Sequence, residues 1–356
     1  MDERLHKIMS EMEDVHASDL HISGGMRPKY RIAGEICQAP GSVPLGVDEV
    51  EKMVHSLVND TQWSRLEEEK ELDCSVGIKG RGRYRVNVSY QRGSLALAIR
   101  RLPHDTPGFN ELGLPVRVME HLSEKDSGMV LVTGPTGSGK STTLAAMVDY
   151  INRKFCKHIV CIEDPIEYLH SHQKSIVHQR EIGQDTHGFE AALTHVLRQD
   201  PDVVQIGEMR NLETIQTMLN VAETGHLALS TLHTSTAVTT INRIVDVFPS
   251  DQQQQVRIQL SFELQAVIAQ QLIPKANEEA LVLAYEILIA TPAIRNLIRE
   301  GKAEQIYSHL QMGSEMGMRT MNESLVDLYR RGAITELAAR SKSTDNKEFT
   351  RLLRGE

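Results

Sequence analysis

Apolar and polar positions follow different patterns in two parts of the chain. Before about residue 103, apolar and polar residues alternate over 28–36 and 81–101, which predicts strands, and a helical repeat predicts helical segments within 47–66. Beyond about residue 112, short apolar runs predict strands at 129–133, 158–163, 202–206, 227–232 and 282–289. Amphipathic stretches predict helices at 115–123, 140–153, 188–199, 211–223 and 236–244. This alternation predicts an α/β fold with a parallel sheet and helices on both of its faces.

Breaks in the pattern predict how the chain is divided. Pro103, Pro107 and Gly108 interrupt regular structure, so we expect an N-terminal domain over 1–103, a linker over 104–112 and a second domain over 113–356. From about residue 291 the pattern is helical, because Thr291 and Pro292 suit a helix start and Gly301 suits a position just past its end. The last fifteen residues are polar and are expected to form a loosely held tail or a short helix.

The strand predicted at 129–133 leads into a glycine-rich loop and then a helix-forming run. The loop reads Gly-x-x-x-x-Gly-Lys-Ser from Gly134 to Ser141, which is the pattern and the context of a phosphate-binding P-loop. Glycines let backbone N–H groups approach phosphate, and the helix N-terminus adds unpaired donors. Lys140 is expected to reach the β- and γ-phosphates, and the Ser141 hydroxyl to ligate Mg²⁺. The predicted nucleotide-binding residues are Gly134, Pro135, Thr136, Gly137, Ser138, Gly139, Lys140, Ser141 and Thr142.

Two further strands are predicted to end in carboxylates, where ligands of parallel sheets collect. The run 158–163 ends at Glu163, followed by Asp164 and Glu167, and the run 202–206 is followed by Gly207 and Glu208. The acids of the first run also suit a solvated loop, and Glu208 also suits a helix cap. Beside a P-loop, Mg²⁺ binding and activation of water are the favoured roles. Gln205 interrupts the second apolar run, which predicts a less-buried face for that strand.

Two histidines bracket the run 227–232. His226 and His233 are seven residues apart, so on one strand they point to opposite faces and a shared metal is not expected. Each is compatible with a structural role. Beside a phosphate site, each is equally compatible with sensing the γ-phosphate.

The predicted hairpin over 81–101 has one arginine face. Arg83 and Arg85 alternate with apolar neighbours, and a turn at Arg92 and Gly93 sets Arg85 near Arg100 on the returning strand. Like charges opposite each other are destabilising unless they are well hydrated or meet an anion. This face is either a solvated edge that deters strand pairing, or a source of arginine fingers for a phosphate on a neighbouring subunit.

Composition limits the class of protein. The chain has 356 residues with 40% hydrophobic and 24% charged content, as in soluble globular proteins. Its net charge of −9, from 39 basic and 48 acidic residues, does not favour general binding of nucleic acid. It has neither an apolar run of about 18 residues nor a secretory signal at its start. The cysteines Cys37, Cys74, Cys156 and Cys161 form no C-x-x-C pair, so a cytoplasmic protein without structural zinc is expected.

Taken together, the motifs resemble those of one family. The P-loop, the Ile-Glu-Asp-Pro-Ile-Glu run at 162–167, the segment 202–210 and the Thr-Gly-His…Thr-Leu-His-Thr segment at 224–234 occur in the order found in the secretion ATPases of type IV pili and type II secretion. The segments 17–22, 246–249 and 293–302 and the arginine hairpin are similar, more narrowly, to those of the type IV pilus retraction ATPases. The resemblance covers essentially the whole chain.

The resemblance implies an architecture and partners. It implies a PAS-like N-terminal α+β domain followed by a RecA-like P-loop ATPase domain with a helical C-terminal region, assembled as a homohexamer. It implies hydrolysis of ATP with Mg²⁺ to power pilus retraction in twitching motility, at the inner face of the inner membrane. The implied partner is the integral-membrane platform protein at the pilus base.

The resemblance also implies roles for single residues. Glu163 would polarise the attacking water, and Glu208 would organise Mg²⁺, directly or through water. His226 and His233 match the family's paired histidines. Three arginines match those that contact nucleotide, namely Arg83, Arg85 and Arg100.

Departures from the family pattern leave alternatives open. Gln205 stands where an apolar residue is usual and Asn211 where Asp is usual, so a low-turnover accessory regulator of another pilus motor is one alternative. A secretion- or conjugation-type translocation ATPase is another. The extension and secretion ATPases carry a four-cysteine zinc motif. Its absence here, with the absence of an additional N-terminal domain, favours retraction.

Overall fold

The computed structural model describes residues 1–32, 34–78, 82–103, 105–277 and 280–355, with only the backbone of Glu13. The predictions made for residues 81 and 104 lie outside these ranges. Two compact units are present, one formed by 1–105 and 165–169, the other by 106–164 and 170–356. Among the described residues, no helix has both the length and the apolar character needed to cross a membrane.

The first unit is an antiparallel sheet with helices packed on its apolar face. Its elements are α1 (Glu3–Asp14), β1 (Asp19–Ser23), β2 (Lys29–Ile32), β3 (Glu35–Gln38), α2 (Val47–His55), α3 (Asp60–Glu69), β4 (Glu71–Ile78), β5 (Gly82–Gln91) and β6 (Ser94–Arg101). The six strands lie in the order β3-β2-β1-β6-β5-β4, and every pair is antiparallel. Side chains from the sheet and from all three helices share one core, so the unit has its own hydrophobic centre.

The hairpin of β5 and β6 has the predicted register. Arg92 and Gly93 both have positive φ, 51° and 79°, which is the geometry of a tight two-residue hairpin turn. This turn pairs Arg85 with Arg100 across the two strands. Tyr84 is buried in the core, as alternation required of a residue next to Arg85.

The second unit alternates strand and helix before becoming helical. Its elements are α4 (Val116–Ser123), β7 (Gly128–Thr133), α5 (Lys140–Lys154), β8 (His158–Glu163), β9 (Ile176–Glu181), α6 (Phe189–Val196), β10 (Val203–Ile206), α7 (Leu212–Glu223), β11 (Leu227–Leu232), α8 (Ala237–Asp246), α9 (Gln253–Glu263), β12 (Leu264–Pro274), β13 (Leu281–Ile289), α10 (Pro292–Arg299), α11 (Ile306–Gln311), α12 (Met321–Arg330), α13 (Glu336–Lys342) and α14 (Asn346–Arg354).

The sheet of the second unit has the order β13-β12-β7-β11-β10-β8-β9. All neighbours are parallel except β13, which returns antiparallel to β12, so the prediction of a wholly parallel sheet is wrong at this edge. Along β7, Met129 and Leu131 face one core while Val130 and Val132 face another. Helices therefore cover both faces, as the alternating pattern predicted.

Two local predictions need correction. All four residues of β10 are buried, including Gln205 at 7% exposed, so the expected less-buried face of this strand does not exist. The C-terminal residues do form a helix, α14, but Phe349 within it is fully buried, so the segment is not loosely held. By contrast, α10 begins as predicted, because the Thr291 side chain accepts a hydrogen bond from the Ile294 N–H.

Candidate nucleotide-binding site

The P-loop connects the buried strand β7 to α5, as the sequence predicted. Gly134, Gly137 and Gly139 have φ values of 144°, 77° and 86°, a region that favours glycine. At Gly134 a Cβ would lie 2.3 Å from the main-chain oxygen of Gln270, so a side chain there would collide with β12. Gly139 precedes α5 directly, which leaves the first N–H groups of the helix open to an anion.

The lysine of the loop is held in place before any ligand is considered. Lys140 is the first residue of α5 and is buried, at 8% exposed. Its Nζ donates to the main-chain oxygens of Gly134, at 3.0 Å, and Pro135, at 2.9 Å. The ammonium therefore lies on the inner side of the loop, where phosphate oxygens can replace these carbonyl acceptors. Ser141 and Thr142 follow in the first turn and are partly exposed.

Sheet register brings the predicted acids to the edge that carries the P-loop. In the register of the sheet, Val132 of β7 pairs with Thr231 of β11. Ile206 of β10 pairs with Ser230 of β11 and with Ile162 of β8. With neighbouring strands about 4.8 Å apart, the ends of β10 and β8 lie roughly 10 and 15 Å from the end of β7. Glu208 and Glu163 therefore lie on the same side of the sheet as Gly134, where the carboxyl ends of the parallel strands β7, β10 and β8 come together.

Glu208 contacts an arginine and a histidine. Its Oε1 lies 3.2 Å from His233 Nε2, and its Oε2 lies 3.0 Å from Arg210 Nε. The Glu208 side chain is 19% exposed, whereas His233 and Arg210 are more open, at 42% and 72%. Sequence reasoning missed this role of Arg210, although it lies two residues after Glu208 in the same motif. A carboxylate and a serine hydroxyl are oxygen donors of the kind that Mg²⁺ prefers, so Glu208 and Ser141 fit that ion chemically.

Glu163 ends β8 and is half-buried. Gln179 on β9 donates from Nε2 to Glu163 Oε1 at 3.0 Å, a contact that the sequence did not predict. Gly207 lies beside it: the Gly207 N–H donates to Ile162 O at 2.9 Å, and a Cβ on Gly207 would lie 3.7 Å from Glu163 Cα, an ordinary contact. The carboxylate is oriented by an amide and remains accessible, which suits a group that has to act on water.

The two histidines lie at opposite ends of β11. His233 follows β11 at the P-loop edge and contacts Glu208. His226 precedes β11, about 20 Å away along a six-residue strand, and its Nδ1 lies 3.1 Å from Val221 O and 3.0 Å from Thr224 Oγ1. The structure therefore brings His233 to the P-loop of its own chain but does not bring His226 there.

The three arginines lie together in the first unit, and acids accompany them. Arg100 Nε donates to Asp19 Oδ1 at 2.8 Å, Arg85 Nε lies 3.9 Å from Asp73 Oδ1, and Arg83 Nε donates to Ser75 Oγ at 2.8 Å. The expectation that hydration or an outside anion must relieve their repulsion was incomplete, because β1 and β4 supply carboxylates. Sequence reasoning missed both acids, although Asp19 lies in the 17–22 segment that it singled out.

Burial and pairing act in opposite directions on Asp19. Burial raises the pKa of the Asp19 carboxyl, but the hydrogen bonds from Arg100 and Ser18 outweigh burial, so its pKa is lowered overall. The Arg100 side chain remains 66% exposed beyond this contact. Its guanidinium can therefore reach a second anion while Asp19 fixes its position.

An open cavity of about 440 Å³ lies beside the P-loop in the second unit. It is lined by Pro135, His233, Thr234, Ser235, Thr239 and Gln271, five of which have polar side chains. A phosphate-binding loop, a carboxylate that suits a metal, an oriented carboxylate and an open cavity thus occur at the carboxyl ends of the strands of one sheet. That arrangement can bind a nucleoside triphosphate and direct water at its terminal phosphate.

Comparison with known proteins identifies the family. A family model described as type II/IV secretion system protein matches residues 2–347. The chain is 46% identical to the type IV pilus retraction ATPase PilT of Pseudomonas aeruginosa, over 94% of this chain and 96% of that protein. It is 45% identical to a twitching motility protein of Neisseria gonorrhoeae, over 91% and 86% of the two chains.

Comparison with solved structures agrees. The crystal structure of the pilus retraction motor PilT with bound ADP superposes with a TM-score of 0.90 at 51% identity and covers 97% of this chain and 98% of that chain. The chain therefore has the mixed α/β fold of PilT, a fold that binds a nucleotide in that crystal structure. The chain belongs to the type II/IV secretion system protein family, as an ATPase of its pilus retraction group.

Proposed function

We propose that this chain is the subunit of a homohexameric motor that hydrolyses ATP to drive pilus retraction. The observation that carries the proposal is the shared sheet edge at which the P-loop, Glu163 and Glu208 meet. A loop that only binds nucleotide does not need two further carboxylates beside it, whereas hydrolysis needs one to organise the metal and one to act on water.

We assign the following roles to the residues of the site. The backbone N–H groups of 136–142 and the ammonium of Lys140 hold the phosphates. Ser141 and Glu208 would hold Mg²⁺, which when bound neutralises charge on the β- and γ-phosphates. Glu163, oriented by Gln179, accepts a proton from the water that attacks the γ-phosphate. His233 fixes Glu208 and can respond to loss of the γ-phosphate.

The arginine face of the first unit would complete the site of a neighbouring subunit. Arg100 is exposed and already oriented by Asp19, so it can reach across an interface without losing much side-chain freedom. Arginine fingers in phosphoryl transfer typically contribute about 10³–10⁵ in rate. His226, which lies far from the P-loop of its own chain, can take part only at a subunit boundary or as a structural residue.

We assign the two units to two domains joined by a hinge. Residues 1–103 would be PAS-like and residues 113–356 RecA-like, with 104–112 as the linker. Hydrolysis removes the γ-phosphate that bridges the P-loop of one subunit to the arginines of the next. Loss of that bridge would let the domains rotate about the linker and so convert hydrolysis into movement.

The motor would act from the cytoplasm at the inner membrane. Its partner would be the integral-membrane platform protein at the base of the pilus, and neither nucleic acid nor structural zinc is required. In the host, deletion of the gene should leave pili that extend and accumulate but do not retract.

Two carboxylate substitutions test the proposal. We expect Glu163→Gln and Glu208→Gln each to lower the steady-state ATPase rate by at least about 10²-fold, the usual effect of removing a general base or a metal-organising acid. Glu163→Gln should still bind ATP, because the P-loop is unchanged. Glu213→Gln, on an exposed carboxylate in the first turn of α7, is the matched control and should keep the wild-type rate. Wild-type hydrolysis by both site variants would rule the assignment out.

A further inference from the structure

A fully buried amide lies between the P-loop and the strand next to it. Gln270 on β12 follows the paired residues Ala269 and Thr133, so it is level with the start of the P-loop. It is 0% exposed, and the residues before it on β12 are aliphatic, from Ala266 to Ala269. Packing alone does not explain a polar side chain among these buried aliphatic residues.

The amide bonds to the helix that follows the P-loop. Gln270 Nε2 donates to Thr143 Oγ1 at 2.7 Å, and both residues are buried. Thr143 lies in the first turn of α5, where its N–H donates to Gly139 O at 3.0 Å. This side-chain bond therefore ties the first turn of α5, whose N–H groups face the phosphates, to β12.

The same residue also touches the start of the loop. A Cβ on Gly134 would lie only 2.3 Å from the main-chain oxygen of Gln270 and 2.5 Å from Ser138 Oγ, so both atoms crowd the start of the loop. Gln270 thus contacts the P-loop segment at both ends, at Gly134 through its backbone and at Thr143 through its side chain.

The arrangement is not optimal for stability. Within the described part of the chain, Gln270 Oε1 and Ser138 Oγ are buried and have no hydrogen-bond partner. A buried acceptor without a partner destabilises a fold, whereas an aliphatic side chain at this position would match its neighbours. Such exceptions are expected where function, rather than packing, selects the residue.

We infer that Gln270 is a positioning residue for nucleotide binding, which acts by holding the first turn of α5 through Thr143. This inference rests on the proposed nucleotide site. The bond from Gln270 to Thr143 fixes the direction of the N–H groups in the first turn of α5. The unpaired Gln270 Oε1 offers a hydrogen-bond acceptor to the hydroxyl groups of the P-loop when they rearrange around phosphate. The role is to set affinity, and no step of the chemistry passes through Gln270.

Apolar replacements of similar size test this role. Gln270→Met and Thr143→Val each remove the bond, and the double variant removes both partners. We expect the Kd for a fluorescent N-methylanthraniloyl-ADP to rise about tenfold in each single variant, the effect of one typical hydrogen bond. The double variant should be no worse than either single one, because all three lack the same interaction. KM for ATP should rise while kcat stays near the wild-type value.

Thermal unfolding separates positioning from a structural role. The double variant should melt at or above the wild-type temperature, since it buries no unpaired polar atom at this position. Thr143→Ser keeps the hydroxyl and should keep the wild-type Kd within about twofold. Unchanged nucleotide affinity in Gln270→Met, or additive losses in the double variant, would overturn the inference. A wild-type protein that binds nucleotide without hydrolysing it would instead count against the proposed function alone.

Discussion

A single substitution beside the site is explained by local geometry. Asn211 stands where the family pattern has Asp, directly after the Glu208–Arg210 segment. Its Oδ1 accepts from the Thr214 N–H at 3.1 Å and so caps α7. Asn and Asp are comparable caps, because both offer a side-chain oxygen to the same orphan N–H groups. The departure therefore preserves the start of the helix and gives no support to a low-turnover regulator.

The role of Glu286 was not predicted from the sequence. Glu286 on β13 is buried, and its two oxygens accept from the first N–H groups of two helices. Oε1 bonds to Ala237 N of α8 at 2.8 Å, and Oε2 to Met321 N of α12 at 3.4 Å. The loop before α8 carries His233 and lines the cavity, so this carboxylate connects the nucleotide edge to the C-terminal helices. Nothing in an apolar strand pattern signals such a role.

Burial of Glu286 predicts a pH dependence of stability. Burial raises its pKa to about 6 from the ordinary 4.5, although the two backbone N–H groups oppose this. A raised pKa means that its stabilising contribution is complete below pH 4.5 and is lost as the pH rises through about 6. Relative to Glu286→Gln, which does not titrate, the wild-type free energy of unfolding should fall by about 2 kcal/mol between pH 4.5 and 7.5. Urea unfolding at several pH values measures this difference, and a constant difference would contradict it.

At the scale of elements, the strands with a clear apolar run could be predicted from the sequence, whereas β12 could not. The strands β7, β8, β10 and β11 are short apolar runs, followed by Gly134, ended by Glu163, and followed by Gly207 and His233 respectively, and their positions were predicted to within about two residues. β12 was missed because glutamines interrupt its apolar run, as at Gln265 and Gln270. The reversal of β13 could not be predicted, since direction depends on the connection and not on composition.

The C-terminal helix α14 was underestimated for a related reason. Its sequence is mostly polar, yet Phe349 is fully buried and Glu348 accepts from Tyr307 Oη and Gln311 Nε2, each at 2.6 Å. Asn322 Nδ2 also donates to Glu348. A short apolar stripe, made of Phe349, Leu352 and Leu353, packs into the C-terminal core, and the buried Glu348 carboxylate attaches the helix to α11 and α12.

We expect loss of the aromatic anchor to release α14. Phe349→Ala should lower the free energy of unfolding by about 3–5 kcal/mol, or melt the helix locally, because a fully buried ring is removed. Leu337→Ala on α13 is the control: that side chain is 81% exposed, so its effect should stay within about 0.5 kcal/mol. Urea unfolding and hydrogen exchange of α14 report the two effects. Equal behaviour of the two variants would show that α14 is not held through Phe349.

At the scale of the molecule, the sequence predicted the parts of the site but not their distribution. The P-loop, Glu163 and Glu208 meet in one unit because strand register brings parallel strand ends together. The arginines lie in the other unit, beside acids that orient them. A linear pattern cannot state whether these arginines complete the site of their own chain or that of another copy, because head-to-tail rings are built by contacts between copies.

Mixing two inactive variants distinguishes these possibilities. Glu163→Gln disables the P-loop side of a site and Arg100→Ala the arginine side, so homogeneous rings of either should be nearly inactive. If sites form between subunits, equal mixing and reassembly should restore about one quarter of wild-type ATPase activity, since that share of interfaces pairs two intact sides. If each chain completes its own site, the mixture has no intact site and stays inactive. A mixture of Glu163→Gln with Lys140→Ala, both on the P-loop side, should stay inactive in either case. Recovery in that control would mean that the assay reports contaminating wild-type protein, and inactivity of both mixtures would place the arginines in their own subunit's site.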